Sequence, residues 1–147
     1  MILLVPIDLS DDTGRILDQA KALAESVQGT LILIHVAEPD PDFVGYDTGP
    51  DVVRDHVAHS MRQEHQAIQQ HAEQLRDKGL DTTALLVQGS TVETILEEVE
   101  KRNADMIVMG SHGHGAMHNL LLGSVSEGVV RHATCPIVLV PTRPHPT

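Results

Sequence analysis

Apolar positions along this chain fall into two alternating arrangements. Short, mainly apolar runs occupy residues 2–7, 31–36, 83–87, 105–109 and 136–140, interrupted only by His35, Thr83 and Asp105. Between them, apolar residues return every three or four positions: Ile16, Ala20, Leu23, Ala24 and Val27; Val53, Val57, Met61, Ile68, Ala72 and Leu75; Val92, Ile95, Leu96 and Val99; Val125, Val129 and Val130. The first arrangement predicts strands and the second amphipathic helices. Gly29 and Gly79 stand where helix C-cap glycines belong, and Ser90 or Thr91 is placed to cap the third helix. Strands apolar along their whole length are buried on both faces, as in a parallel sheet. The order β-α-β-α-β-α-β-α-β therefore predicts an α/β fold, a single doubly wound domain with a parallel sheet and helices on both faces. In such folds the ligand crevice lies at the carboxyl ends of the strands, where strand order reverses. The loops after Ile7, Val36 and Met109 are thus the ones to watch. We expect one domain over residues 1–142 and a loose tail over 143–147, where Pro144 and Pro146 stand. Residues 39–50, rich in Pro, Asp and Gly, are expected to form a long irregular segment, either a recognition surface or a mobile lid or disordered loop.

Composition narrows the function. Phe43 and Tyr46 are the only aromatic residues, so the core must be aliphatic. With 21 acidic against 10 basic residues the net charge is −11, which repels nucleic acid and anionic membrane faces. No apolar run is long enough to cross a membrane, and Asp8 interrupts the first run too early for a secretion signal, so we expect a cytoplasmic protein that is not membrane-embedded. Cys135 is the one cysteine and reads as a small buried hydrophobe.

The densest chemical signal follows the fourth strand: Gly110-Ser111-His112-Gly113-His114-Gly115, then Gly123-Ser124-Val125-Ser126. Glycines let a backbone approach a ligand closely, and successive N–H groups can form an anion nest. The helix opening at Gly123 adds its dipole and its N-terminal N–H groups, and Ser124 and Ser126 add hydroxyls. These are parts for holding phosphates. The stretch is not a P-loop, because no Lys precedes Ser124. It is not a dinucleotide fingerprint, because the third glycine position is His118 and the stretch does not follow the first strand.

Gly110, Gly113, Gly123 and Ser124 match every fixed position of G-x2-G-x9-G-[ST], and the chain from about residue 1 to 142 resembles the universal stress protein family, in its ATP-binding subclass. The opening Ile2-Leu3-Leu4-Val5-Pro6-Ile7-Asp8 is similar to the family's first strand and acidic loop. The resemblance implies a five-stranded sheet in the order 3-2-1-4-5, with ATP and magnesium as ligands. It places Pro6, Ile7 and Asp8 beside the adenosine, with Asp8 near the ribose or a metal. His35 and Val36 would border the adenine. Gly110, Gly113, Gly123 and Ser124 would hold ribose and phosphates, with Ser111, His112, His114, Val125 and Ser126 as neighbours. It also implies a homodimer or higher oligomer through Pro136-Ile137-Val138-Leu139-Val140, and a regulatory role that extends to a membrane transporter as partner. The segment 114–119 carries histidines where relatives often carry Arg or Lys, which weakens phosphate binding or makes it pH-dependent.

Two other readings stay open. Asp8, Asp11 and Asp12 serve equally as helix caps or, for Asp8, as a ligand contact. His112, His114 and His118 could hold a transition metal, but donors to phosphate fit their loop better. The helix histidines His56, His59, His65 and His71 lack zinc-hydrolase spacing and read as exposed. With no Lys or Arg in the glycine stretch, ligand binding without fast turnover is expected; a slow ATP hydrolase and a nucleotide-independent interaction module are the alternatives.

Overall fold

The structure, a computed structural model, describes residues 1–38, 50–112 and 122–142, with the side chains of 50–54 left aside. In order the elements are β1 (Ile2–Pro6), α1 (Thr13–Val27), β2 (Thr30–Ala37), α2 (Pro50–Asp77), β3 (Thr82–Gln88), α3 (Thr91–Arg102), β4 (Met106–Gly110), α4 (Ser124–His132) and β5 (Ile137–Val140). The five strands form one sheet in the order β3-β2-β1-β4-β5, and every pairing is parallel. This is the doubly wound α/β architecture and strand order expected above.

The two-residue period of the strands explains how continuous apolar runs serve both layers. Leu3, Val5, Leu31, Leu33 and Val108 face one side, where they pack with Ile16, Leu17, Ala20 and Ala24 of α1 and Ile68, Ala72 and Leu75 of α2. Leu4, Ile32, Ile34, Ile107 and Met109 face the other, with Ile95 and Val99 of α3 and Val129 of α4. Both clusters are aliphatic, as the shortage of aromatic residues required.

Four local details differ from expectation. Gln28, not a glycine, takes the left-handed C-cap conformation of α1, with φ 52°. Gly29 is needed for a different reason: a Cβ there would sit 2.8 Å from Leu3 Cδ1 and 2.9 Å from the Met1 carbonyl oxygen. The α3 cap is not Ser90's hydroxyl, which makes no capping hydrogen bond; instead the Glu38 carboxylate accepts from the Thr91 N–H at 3.2 Å and the Thr91 hydroxyl at 2.6 Å. Among the helix histidines, His56, His59 and His65 are exposed as expected, but His71 is half-buried and its pKa is lowered by that burial. By contrast Gly79 does end α2 with a positive φ of 89°. Cys135 is half-buried against the second cluster, and burial raises its thiol pKa, which fits an unreactive packing residue. Among the described residues, no helix is long and apolar enough to cross a membrane.

Candidate functional site

β1 lies between β2 and β4, so successive crossovers leave it in opposite directions and a crevice opens at the carboxyl ends of these strands. A cleft of about 260 Å³ occupies that place. Its lining includes Pro6, Ile7 and Asp8 after β1; His35 and Val36 on β2; Gly110 and His112 after β4; and Gly123, Ser124 and Val125 at the start of α4.

Each wall is fixed locally. The Ile7 N–H donates to the Ile34 carbonyl at 2.9 Å, extending the β1–β2 pairing one residue past the strand. The His35 Nδ1 lies 2.9 Å from the Ile7 carbonyl oxygen. A carbonyl only accepts, so Nδ1 carries the proton here. The opposite ring nitrogen, Nε2, faces Glu64 Oε1 of α2 at 3.7 Å. Past Asp8 the chain turns through Leu9, a bulky residue held at φ 61°. Left-handed backbone at such a side chain is strained, and it persists where surrounding structure enforces it. The Asp8 Oδ1 accepts from the Ser10 N–H at 3.0 Å, which holds the carboxylate at the turn.

The other wall depends on the end of β4. A Cβ on Gly110 would lie 2.8 Å from Thr142 Cγ2 and 3.0 Å from Ile16 Cδ1, so only glycine fits without displacement. The Ser111 N–H donates to the Val140 carbonyl at 2.9 Å, and the Gly123 N–H donates to the Ser111 carbonyl at 2.8 Å. The second bond brings the start of α4 back beside β4. Thr142, 2% exposed, clamps the next residue: its hydroxyl donates to the His112 carbonyl at 2.8 Å and accepts from the His112 N–H at 3.0 Å. α4 begins at Gly123, with no side-chain cap. The first-turn N–H groups of a helix lack intrahelical acceptors and attract anions.

Of the residues singled out from the sequence, Pro6, Ile7, Asp8, His35, Val36, Gly110, His112, Gly123, Ser124 and Val125 therefore share one cleft. Ser111 and Ser126 do not line it. The Ser111 hydroxyl sits 3.0 Å from His112 Nδ1 and accepts from the Thr142 N–H at 3.3 Å. Ser126 is buried and its hydroxyl donates to the Gly110 carbonyl at 2.8 Å, tying α4 to β4. Gly113 and His114 lie outside the described residues, as do His118, Phe43 and Tyr46. Sequence reasoning missed Ile16, Ile34, Thr91, Ile95 and Met109 in the lining. Thr91 had been visible only as a helix cap, and the others only as core. Among the described residues no three His, Cys, Asp or Glu side chains gather as a metal site, and no Lys or Arg lines the cleft. Among the described residues, its charged and titratable lining groups are Asp8, His35 and His112.

Comparison with known proteins gives a consistent picture. A family model described as the universal stress protein family matches residues 1–141. A universal stress protein of Thermus aquaticus is 36% identical over 144 residues, covering 94% of this chain and 96% of that protein. The solved structure of universal stress protein UspA from Lactobacillus plantarum superposes with a TM-score of 0.80 at 22% identity, over 95% of this chain and 97% of that one. A universal stress protein solved in complex with cAMP superposes with a TM-score of 0.72 at 22% identity, over 97% of this chain and 98% of that one.

Proposed function

The chain belongs to the universal stress protein family, and from that premise we propose that its cleft binds an adenine nucleotide, ATP, as a regulatory ligand. The observation that carries this reading is the glycine-capped start of α4, held beside the Gly110 turn and facing the ends of β1 and β2 across one cleft. Phosphates would rest on the N–H groups of α4 and the hydroxyl of Ser124. The base and ribose would lie between Pro6, Ile7 and Asp8 on one side and His35 and Val36 on the other. A relative crystallised with cAMP, another adenine nucleotide, supports the same ligand class.

Magnesium fits this reading in a limited way. It commonly takes one or two carboxylates and fills its other positions with phosphate oxygens and water. Asp8 is the one carboxylate in the described lining, so it would share the ion with the nucleotide. Bound there, magnesium would neutralise phosphate charge. With no lysine or arginine in that lining, the residues favour holding the nucleotide over transferring its phosphoryl group.

The regulatory output would pass through assembly. β5 is an edge strand whose Ile137, Val138 and Leu139 are only half-buried. An apolar edge left bare invites further strand pairing, so a homodimer through β5 is the assembly we infer. Nucleotide binding would bias that dimer's engagement of a partner, with a solute transporter as our candidate. Calorimetric titration of nucleotide-stripped protein tests the reading. We expect saturable ATP binding that Gly123→Val abolishes; folded protein that takes up neither ATP, ADP nor AMP contradicts it.

A further inference from the structure

Two helix starts face the cleft, and they differ chemically. α4 begins at a glycine with no side-chain cap. α3 begins beneath a carboxylate, because Glu38 Oε1 accepts from both the Thr91 N–H and the Thr91 hydroxyl. An ionised carboxylate is acceptor-only, and a threonine hydroxyl has one hydrogen and two lone pairs. The 2.6 Å bond to Glu38 uses that one hydrogen. Thr91 is among the residues lining the cleft, as are Val36 and Ile95, and with its hydrogen committed to Glu38 a hydroxyl that meets a ligand there does so as an acceptor.

We propose that the Glu38–Thr91 pair makes the α3 end of the cleft select a purine carrying an exocyclic amine over its oxo counterpart. This rests on the nucleotide reading above and deepens it. Adenine presents an amine hydrogen at its 6-position, which an acceptor-only hydroxyl satisfies. Hypoxanthine presents a carbonyl oxygen there, and two acceptors facing each other leave both without a partner. Val36, Ile34 and Ile95 supply apolar contact to either ring and so do not discriminate. The same arrangement sets the nucleotide's direction. A phosphate chain, also acceptor-only, is repelled by Glu38 and is received at α4. Glu38 is therefore a positioning residue that fixes the polarity of Thr91, and Thr91 is the contact.

The test measures affinities for ATP and ITP by calorimetry in the wild-type protein, Thr91→Val, Thr91→Ser and Glu38→Ala. The wild type should favour ATP. That ratio should fall by about three- to tenfold, the worth of one hydrogen bond, in Thr91→Val. It should fall similarly in Glu38→Ala, whose Thr91 hydroxyl can turn to donate, and it should be retained in Thr91→Ser. A general loss of packing at α3 would weaken both nucleotides together and leave the ratio unmoved. ATP binding with a ratio unchanged in both Thr91→Val and Glu38→Ala overturns this inference alone. A folded wild-type protein that binds neither nucleotide overturns the nucleotide reading and this inference with it.

Discussion

Thr142→Val isolates the clamp that holds the start of the glycine stretch. Valine keeps the methyl that packs against Gly110 and removes only the hydroxyl. That hydroxyl makes two bonds to one peptide neighbour: it donates to the His112 carbonyl at 2.8 Å and accepts from the His112 N–H at 3.0 Å. A typical intramolecular hydrogen bond contributes about 0.5–1.5 kcal/mol net, so the pair is worth about 1–3 kcal/mol. The site is partly buried, and a backbone group left there without water would push the loss toward the upper end. The chain has no tryptophan, so the assay is urea denaturation followed by far-UV circular dichroism. Thr142→Ser, which keeps both bonds and gives up the methyl, is the control. A Thr142→Val protein within about 0.5 kcal/mol of wild type would refute the reasoning, because it would mean that neither bond contributes net stability. A folded Thr142→Val protein should also bind ATP more weakly, since His112 lines the cleft.

Three further substitutions test other parts of the account. Gly110→Ala should destabilise by about 1–3 kcal/mol in the same assay, because its Cβ would enter space held by Thr142 Cγ2 and Ile16 Cδ1. Gln28→Gly should stabilise by about 0.5–1 kcal/mol, because φ at this position is 52° and glycine carries no left-handed penalty. His71 gives a pH signature: burial lowers its pKa below the usual 6.5, so as pH falls the unfolded chain takes up the proton first. That contribution to stability is full above about pH 6.5 and declines below it. The urea midpoint of His71→Gln should therefore fall less than that of wild type between pH 7.5 and 5.5.

The fold was legible because each strand is apolar on both faces and each helix on one. The phase of Leu3 and Val5 against Leu4 already assigns them to opposite layers. The glycine pattern was legible as a site but not as a division of labour. Gly110 is required by packing against Thr142 and Ile16, whereas Gly123 opens α4. No local feature of Ser126 distinguishes a hydroxyl aimed at a ligand from one folded under β4 onto the Gly110 carbonyl, and the second is what occurs. Thr91 and Glu38 were illegible for a topological reason: they lie 53 residues apart, and only the parallel crossovers bring the end of β2 to the start of α3. Gln28 shows a local rule yielding to tertiary packing. The glycine beside it is reserved for close approach to Leu3 and Met1, so the left-handed turn falls on a residue with a Cβ.

The central claim is that an adenine nucleotide lies with its phosphates at α4 and its base at the ends of β1, β2 and α3. Backbone-amide NMR during titration with ATP tests it most directly. The account predicts saturable shifts at Ile7, Asp8, Val36, Thr91, Gly110 and Gly123 through Ser126, with the shallow pocket that Met61 and His65 of α2 and Leu86 of β3 line left unmoved. Absence of any shift, or shifts centred on Met61, His65 and Leu86 of that pocket, would contradict it.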